Sequence, residues 1–260
     1  MKDIWRILRM YLGGLCLLVF VLSVSAEDRT LSNCATEAQV RSLIKPYEVS
    51  YKARFRGFPI DNERVLSVEN DGTFRISGDM SLFFVAIHEY SRFQLTPKLL
   101  VQPLEYFYVR EGLGDSKDFH LMFDWSRFRA ENQIPEEPWS IALEPESHDL
   151  LTHQLQLRLD LMCKGVQLDR YEYSIVKKKR QRVYAYRPVA EETLVTPVGK
   201  LRTLTFEKLE DKPGRKTTVW LAQDWDFLIV RLIYQEKDDA SYQITLERGA
   251  LAGTPITGRP

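Results

Sequence analysis

Asp224 and Asp226 flank Trp225 in the stretch TTVWLAQDWDFLIVRLIY, residues 217–234. Two carboxylates in an apolar setting can serve as general acid and base when burial or neighbours pull their proton affinities apart. A second acidic group, Glu131, Glu136, Glu137, Glu144 and Glu146, surrounds Trp139. Paired carboxyls beside an aromatic platform are the equipment of glycan hydrolysis. His148, Asp149 and His153 fall within HDLLTH, and imidazole with carboxylate is a donor set for a transition metal. Residues 177–182, KKKRQR, carry five positive charges in six positions, which suits an anionic lipid or glycan headgroup.

The elements that must carry these residues favour plainer roles for most of them. QDWD separates two apolar strands, has the length of a hairpin loop, and places Asp where turns prefer it. His148 and His153 are five apart and do not share a helical face. Asp149 at the start of a helix is accounted for by capping, so no metal site is expected. Residues 177–182 read as the solvated tip of a hairpin. No G-x-S-x-G, no S-x-x-K with its companion motifs and no P-loop is present. GLG at 112–114 lacks the third glycine of a dinucleotide site. No nucleotide, no cofactor and no catalysis are expected.

The beginning of the chain sets the compartment. Lys2, Arg6 and Arg9 precede an apolar stretch from Tyr11 to Val24, and Val24-Ser25-Ala26 offers small residues where a signal peptidase reads. Residues 1–26 are read as a signal peptide cleaved after Ala26, giving a periplasmic protein. The stretch is short for a membrane span of about 20 residues, and Leu15 before Cys16 does not make a lipobox. The mature chain has 33 basic and 35 acidic side chains. That near balance, together with export, argues against nucleic acid. Cys34 and Cys163 survive cleavage, and an even pair in an oxidising compartment is expected to form one disulfide.

Residues 27–45 read as a polar leader with one short helical turn. From Tyr47 the period is two: Tyr47, Val49, Tyr51, Ala53 and Phe55 share one face, and charged or polar residues share the other. Strand-like runs continue to Trp125, with Asp-Gly at 71–72 marking a hairpin. Residues 126–147, with Pro135, Pro138 and Pro145, are expected to form a long surface loop. Leu151, Leu155, Leu159 and Met162 recur at helical spacing, and Gly165 follows, which predicts a helix over 149–163. Strands resume to residue 248, and residues 249–260 are expected to be a disordered tail. Residues 46–248 thus form a single β-rich domain.

TPVGKLRTLTFEKLE (196–210), TTVWLAQDWDFLIVRLIYQEKDDASYQITLE (217–247) and FDW (123–125) resemble the family of exported bacterial envelope proteins called domain of unknown function 3108. The likeness spans roughly residues 45–248 and rests on turns, a tryptophan and a buried strand. It implies no activity. More loosely, the layout resembles the open half-barrels of periplasmic lipoprotein carriers.

The expected fold is mainly β: an antiparallel open or half-closed barrel with one principal helix packed against it. The expected function is a non-catalytic envelope protein that binds a lipid-like or glycan ligand or an envelope-protein partner. A carbohydrate-active hydrolase using the loop carboxylates and a ligand-free scaffold are the alternatives. The strand pattern nominates Tyr51, Phe55, Trp220 and Leu228 as a cavity lining, with headgroups near Lys177, Lys178, Lys179 and Arg180.

Overall fold

Alternation of inward apolar and outward polar residues runs through most of the chain, and it produces strands throughout. The computed structural model describes residues 34, 36–55, 57–82, 84–112, 118–177, 179–210, 213–236 and 241–259, with Phe55, Leu82 and Ser241 described by their backbone only. The expected signal peptide, residues 27–33 and 35 of the leader, and Lys178 lie outside the described residues.

The first half holds β1 (Tyr47–Phe55), β2 (Phe58–Val68), β3 (Phe74–Leu82), β4 (Val85–Leu95), β5 (Val101–Gly112), β6 (Phe119–Asp124), β7 (Arg129–Asn132) and β8 (Trp139–Ala142). The second half holds β9 (Ser147–His148), β10 (Tyr171–Lys177), β11 (Arg180–Thr196), β12 (Gly199–Leu209), β13 (Lys216–Ala222), β14 (Leu228–Gln235), β15 (Ser241–Leu251) and β16 (Thr254–Pro255). One sheet takes them in the order β8-β7-β6-β5-β4-β3-β2-β1-β15-β14-β13-β12-β11-β10-β9, with β16 paired to β15. Neighbours are antiparallel except β9 with β10. The edge strands β8 and β9 are not paired, so the barrel stays open along that seam. Gln181 Nε2 reaches over the seam to the Ala142 carbonyl at 2.8 Å.

Two helices accompany the sheet. Helix α1 (Glu37–Leu43) begins with a capping box between Thr36 and Gln39 and buries Val40. Helix α2 (Thr152–Lys164) runs inside the curved sheet, and residues on all of its sides are buried. That position explains its polar residues, each of which finds a partner. Gln156 Oε1 accepts from the Val101 amide at 2.8 Å, and Arg158 Nε donates to the Asp226 carbonyl at 3.0 Å. The Tyr173 hydroxyl donates to Asp160 at 2.8 Å. Buried polar groups require such pairing, since an unmade bond costs more than a made one gains.

The two ends of the barrel differ. At one end the β2–β3, β4–β5, β11–β12 and β13–β14 turns meet α1 and the chain terminus. Cys34 and Cys163 are bonded there with Cα atoms 5.5 Å apart, tying the leader to the end of α2 across 129 residues of sequence. In the chain-entropy description such a loop is worth about 4–5 kcal/mol. At the other end the β1–β2, β3–β4, β5–β6, β10–β11, β12–β13 and β14–β15 hairpins form a rim.

Two sequence expectations are corrected. Residues 249–260 are not a disordered tail. Strand β15 continues to Leu251, β16 folds back on it, Ile256 is buried, and Lys200 pairs with Arg259. Gly249 permits this, because a Cβ there would lie 2.7 Å from the Glu48 carbonyl oxygen. Residues 126–147 are not a structureless loop either. They carry β7 and β8 and lead into β9, and they bury Ala130, Asn132 and Leu143. Four-residue edge strands separated by prolines show too few alternations to read as strands. Strand β11 runs 17 residues through Pro188, where a register shift absorbs the missing amide.

Candidate ligand basin

Asp224 and Asp226 belong to a turn. Gln223–Trp225 is one 3-10 turn, and Asp226 follows it with φ 51° and ψ 40°, a left-handed conformation that Asp tolerates better than most residues. Each carboxylate has its own cation. Arg202 donates to Asp224 at 2.6 and 3.1 Å, and Lys45 Nζ lies 2.8 Å from Asp226 Oδ2. Arg202 holds the Asp224 carboxyl below its ordinary range. Two separately neutralised turn carboxylates do not make an acid–base pair.

The HDLLTH residues form the start of α2. Asp149 is fully buried and accepts from the Leu151 and Thr152 amides at 2.7 and 2.8 Å and from the Ser91 hydroxyl at 2.6 Å. Burial still pushes its carboxyl up to about 6. His153 pairs with the Tyr186 hydroxyl at 2.9 Å, and burial pushes its imidazole down to about 3; His148 is pushed down to about 4 by the same cause. Among the described residues no group of three His, Cys, Asp or Glu side chains is placed to hold a metal ion.

A basin of about 490 Å³ opens at the rim end, between the start of α2 and the inner faces of β10–β14. Its floor is Leu150, His153 and Gln154, and its far wall includes Glu89 and Tyr108. Four cations line it: Lys177, Arg182, Lys208 and Arg215. Tyr184, Tyr186 and Tyr234 supply aromatic faces. Local sequence explains the arrangement. Arg182, Tyr184 and Tyr186 alternate along β11, and Lys208 continues the inward row of Leu204 and Phe206 on β12. Lys208 Nζ stands 3.9 Å from the Tyr184 ring centre, and Lys177 Nζ donates to the Tyr184 hydroxyl at 3.1 Å. Both contacts hold the ammonium groups over the basin. Lys208 also pairs with Glu210 at 3.1 Å, and Arg215 pairs with Glu236. Glu89 accepts from the Tyr106 hydroxyl at 2.6 Å, and burial raises its proton affinity.

The residues nominated from sequence are placed as follows. Tyr51 and Leu228 lie inside the barrel but at its closed end, beside a void of about 10 Å³, no more than the room of a single water. The Tyr51 hydroxyl donates to the Ile229 carbonyl at 2.9 Å. Both are core, and the open basin is elsewhere. Trp220 faces outward, with its indole donating to Glu192 at 2.7 Å and Arg231 against its ring. The reason is parity: Val219 and Leu221 take the inward face of β13. Phe55 ends β1 at the rim, with only its backbone described. Of the basic run, Lys177 faces the basin, while Lys179 and Arg180 are exposed at the hairpin tip. Arg182, the last residue of the basic run, also lines the basin. Lys208, Arg215, Tyr108, Gln154 and Glu89 were not nominated. They come from four strands or turns and one helix, and only the curvature of the sheet brings them together.

Comparison with known proteins places the chain. A family model described as "Protein of unknown function (DUF3108)" matches residues 47–247. The chain belongs to this family. No curated protein matches it. Among solved structures it is similar to the β-barrel-like protein of domain of unknown function DUF1849 from Brucella abortus, at 7% identity and TM-score 0.54, over 80% of this chain and 98% of that one. Much weaker likenesses are to a candidate lipoprotein from Parabacteroides distasonis (11% identity, 80% and 96% covered, TM-score 0.32) and to the MucA/MucB complex of Pseudomonas aeruginosa (11% identity, 89% and 98% covered, TM-score 0.17). The first of these likenesses concerns the fold alone.

Proposed function

We propose that this DUF3108 chain is an exported, periplasmic, non-catalytic protein that binds an amphipathic ligand in the basin at the rim end of its barrel. The observation that carries the reading is the basin itself: a pre-formed concavity of about 490 Å³ with convergent cations and aromatic faces. That volume lies within the usual range for ligand sites. The barrel could have filled its interior with side chains, as it does at the closed end. Apolar space adjoins the cations directly, because Tyr108, Leu150 and Lys177 also line a cavity of about 210 Å³ with Tyr106, Phe119 and Leu121. Adjacent charge and apolar space favours a lipid-like molecule over a glycan. Export is supported by the basic and apolar start of the chain and by the disulfide, which an oxidising compartment maintains.

A fluorescent fatty-acid probe titrated into the mature protein tests the binding. Saturable binding is expected, and Leu150→Trp, which puts bulk at the junction of both cavities, is expected to weaken it. A probe that fails to saturate, or binds a folded Leu150→Trp variant unchanged, contradicts the reading. N-terminal sequencing of the periplasmic protein tests the export: it is expected to begin at Glu27, and a start at Met1 contradicts cleavage.

A further inference from the structure

We infer that the basin selects an amphiphile with one anionic headgroup and two apolar chains, one for each of two arms that branch from it. This deepens the binding reading above and rests on it. The first arm is the cavity of about 210 Å³ between β5, β6 and β10, reached past Tyr108, Leu150 and Lys177. The second is a cavity of about 170 Å³ on the opposite flank, between β2–β4 and β14–β15. It shares Glu89 and Gln154 with the basin, is bordered by Glu63, Arg64 and Asp79, and takes its apolar lining from Met80, Ile87, Leu232 and Ile244. The sheet order separates the arms: β10 and β14–β15 stand at the two ends of the arc that walls the basin. A single chain can occupy only one of them.

The second arm exists because of one residue. Gly78 sits in register between Arg64 on β2 and Glu89 on β4. Any side chain there would project into the space. Its backbone does not need glycine, and an added Cβ would meet nothing closer than 3.8 Å.

The headgroup preference follows from which cations are already satisfied. Lys208 and Arg215 have carboxylate partners. Lys177 has the Tyr184 hydroxyl and Arg182 has no ion pair among the described residues. Two cations on one basin wall that make no close ion pair attract an anion, although Glu89 on the far wall already acts on Lys177, and the guanidinium fork of Arg182 suits the paired oxygens of a phosphate or carboxylate.

Calorimetric titration below the micelle concentration tests both parts, with dioctanoyl phosphatidylglycerol, dioctanoyl phosphatidylcholine, single-chain octanoyl lysophosphatidylglycerol and inorganic phosphate as the probes. The two-chain anion is expected to bind roughly tenfold or more tighter than its single-chain counterpart, since burying a second short chain supplies at least that. It is expected to exceed the zwitterionic lipid by about tenfold, and Arg182→Gln with Lys177→Gln is expected to erase that margin alone. Gly78→Leu and Leu150→Trp, each closing one arm, are expected to bring the two-chain affinity down to the single-chain value. Equal affinity for one and two chains overturns the forked site. Equal affinity for the two headgroups overturns the anion preference, and binding of phosphate alone overturns the lipid. If no amphiphile binds at all, the binding reading falls with it; if the single-chain lipid saturates without preference, only the present inference falls.

Discussion

The closed and open ends of the barrel are built from the same strands, yet they solve opposite problems. At the closed end Tyr51, Leu155, Arg158 and Leu228 leave a void of about 10 Å³. At the open end the same sheet and the same helix surround about 490 Å³. The inward rows show how the change is made. On β12 the row Leu204, Phe206 ends in Lys208; on β11 Tyr186 gives way to Tyr184 and Arg182; on β14 Val230 and Leu232 end in Tyr234. Large apolar side chains fill the barrel until they are replaced by long polar ones, which reach outward and leave the middle empty. Helix α2 repeats the gradient. Leu159, Leu161 and Cys163 are packed at its end, and His153 and Gln154 border open space at its start.

The contrast is sharpest in stability. Leu159→Ala is expected to cost about 2–5 kcal/mol, the usual range for a leucine cavity in a core that cannot collapse. Urea denaturation measures it, and a cost under about 1 kcal/mol would mean that the closed end is not packed as described. The disulfide is next. Replacing Cys34 and Cys163 together by serine is expected to lower stability by about 2–5 kcal/mol. Thiol labelling of the unfolded, unreduced protein is expected to find neither cysteine free; two labelled thiols would contradict the bond.

A smaller effect comes from the buried groups where the two ends meet. His148 and His153 are held neutral, with affinities near 4 and 3 against an ordinary value of 6.5. The unfolded chain therefore binds two more protons than the folded one once the pH falls well below 6.5, and stability falls with it. Asp149, raised to about 6 from 3.8, works in the other direction between those values. Over these three groups the difference leaves about one proton, or roughly 1.4 kcal/mol lost per pH unit between about 6 and 4, and Glu89, whose proton affinity burial also raises, subtracts from it. Denaturation midpoints at pH 7, 6 and 5 check this, and a flat profile contradicts it. The smallest effects belong to half-buried and exposed positions at the surface. Arg182→Gln at the basin wall is expected to change stability by no more than about 0.5 kcal/mol while weakening binding of an anionic amphiphile. Asp224→Asn is expected to leave both the denaturation midpoint and ligand binding where they were, because its ion pair with Arg202 is exposed.

Period-two alternation made the barrel legible in the sequence, and helical spacing made α2 legible, because both patterns follow from one buried face. The cysteine pair was legible from compartment and count. The edge meander β7–β8 and the C-terminal hairpin were not, since short edge strands bury little and alternate too few times. The basin residues were legible only in part. Lys177 stood out in a dense basic run, although the run's exposed tip and not its chemistry explains most of that density. Lys208 and Glu89 are single charges on inward rows, and nothing local distinguishes them from outward charges until the parity of each strand is fixed. Tyr51 and Leu228 lie inside the barrel away from the basin, because depth along the barrel axis is a property of strand register that hydrophobicity does not carry. Trp220 was misplaced because its size suggests a core residue, while its parity puts it outside with Glu192 and Arg231.

The central claim is that the open end is a ligand site and not merely unfilled space. Native mass spectrometry of the protein released from the periplasm tests it most directly, with the Gly78→Leu, Leu150→Trp double variant as its control. The wild-type protein is expected to carry added mass that denaturation releases and organic solvent extracts, and the folded double variant is expected to fly as the bare mature chain. Bare wild-type chain that takes up no added mass when phosphatidylglycerol is supplied would contradict the account.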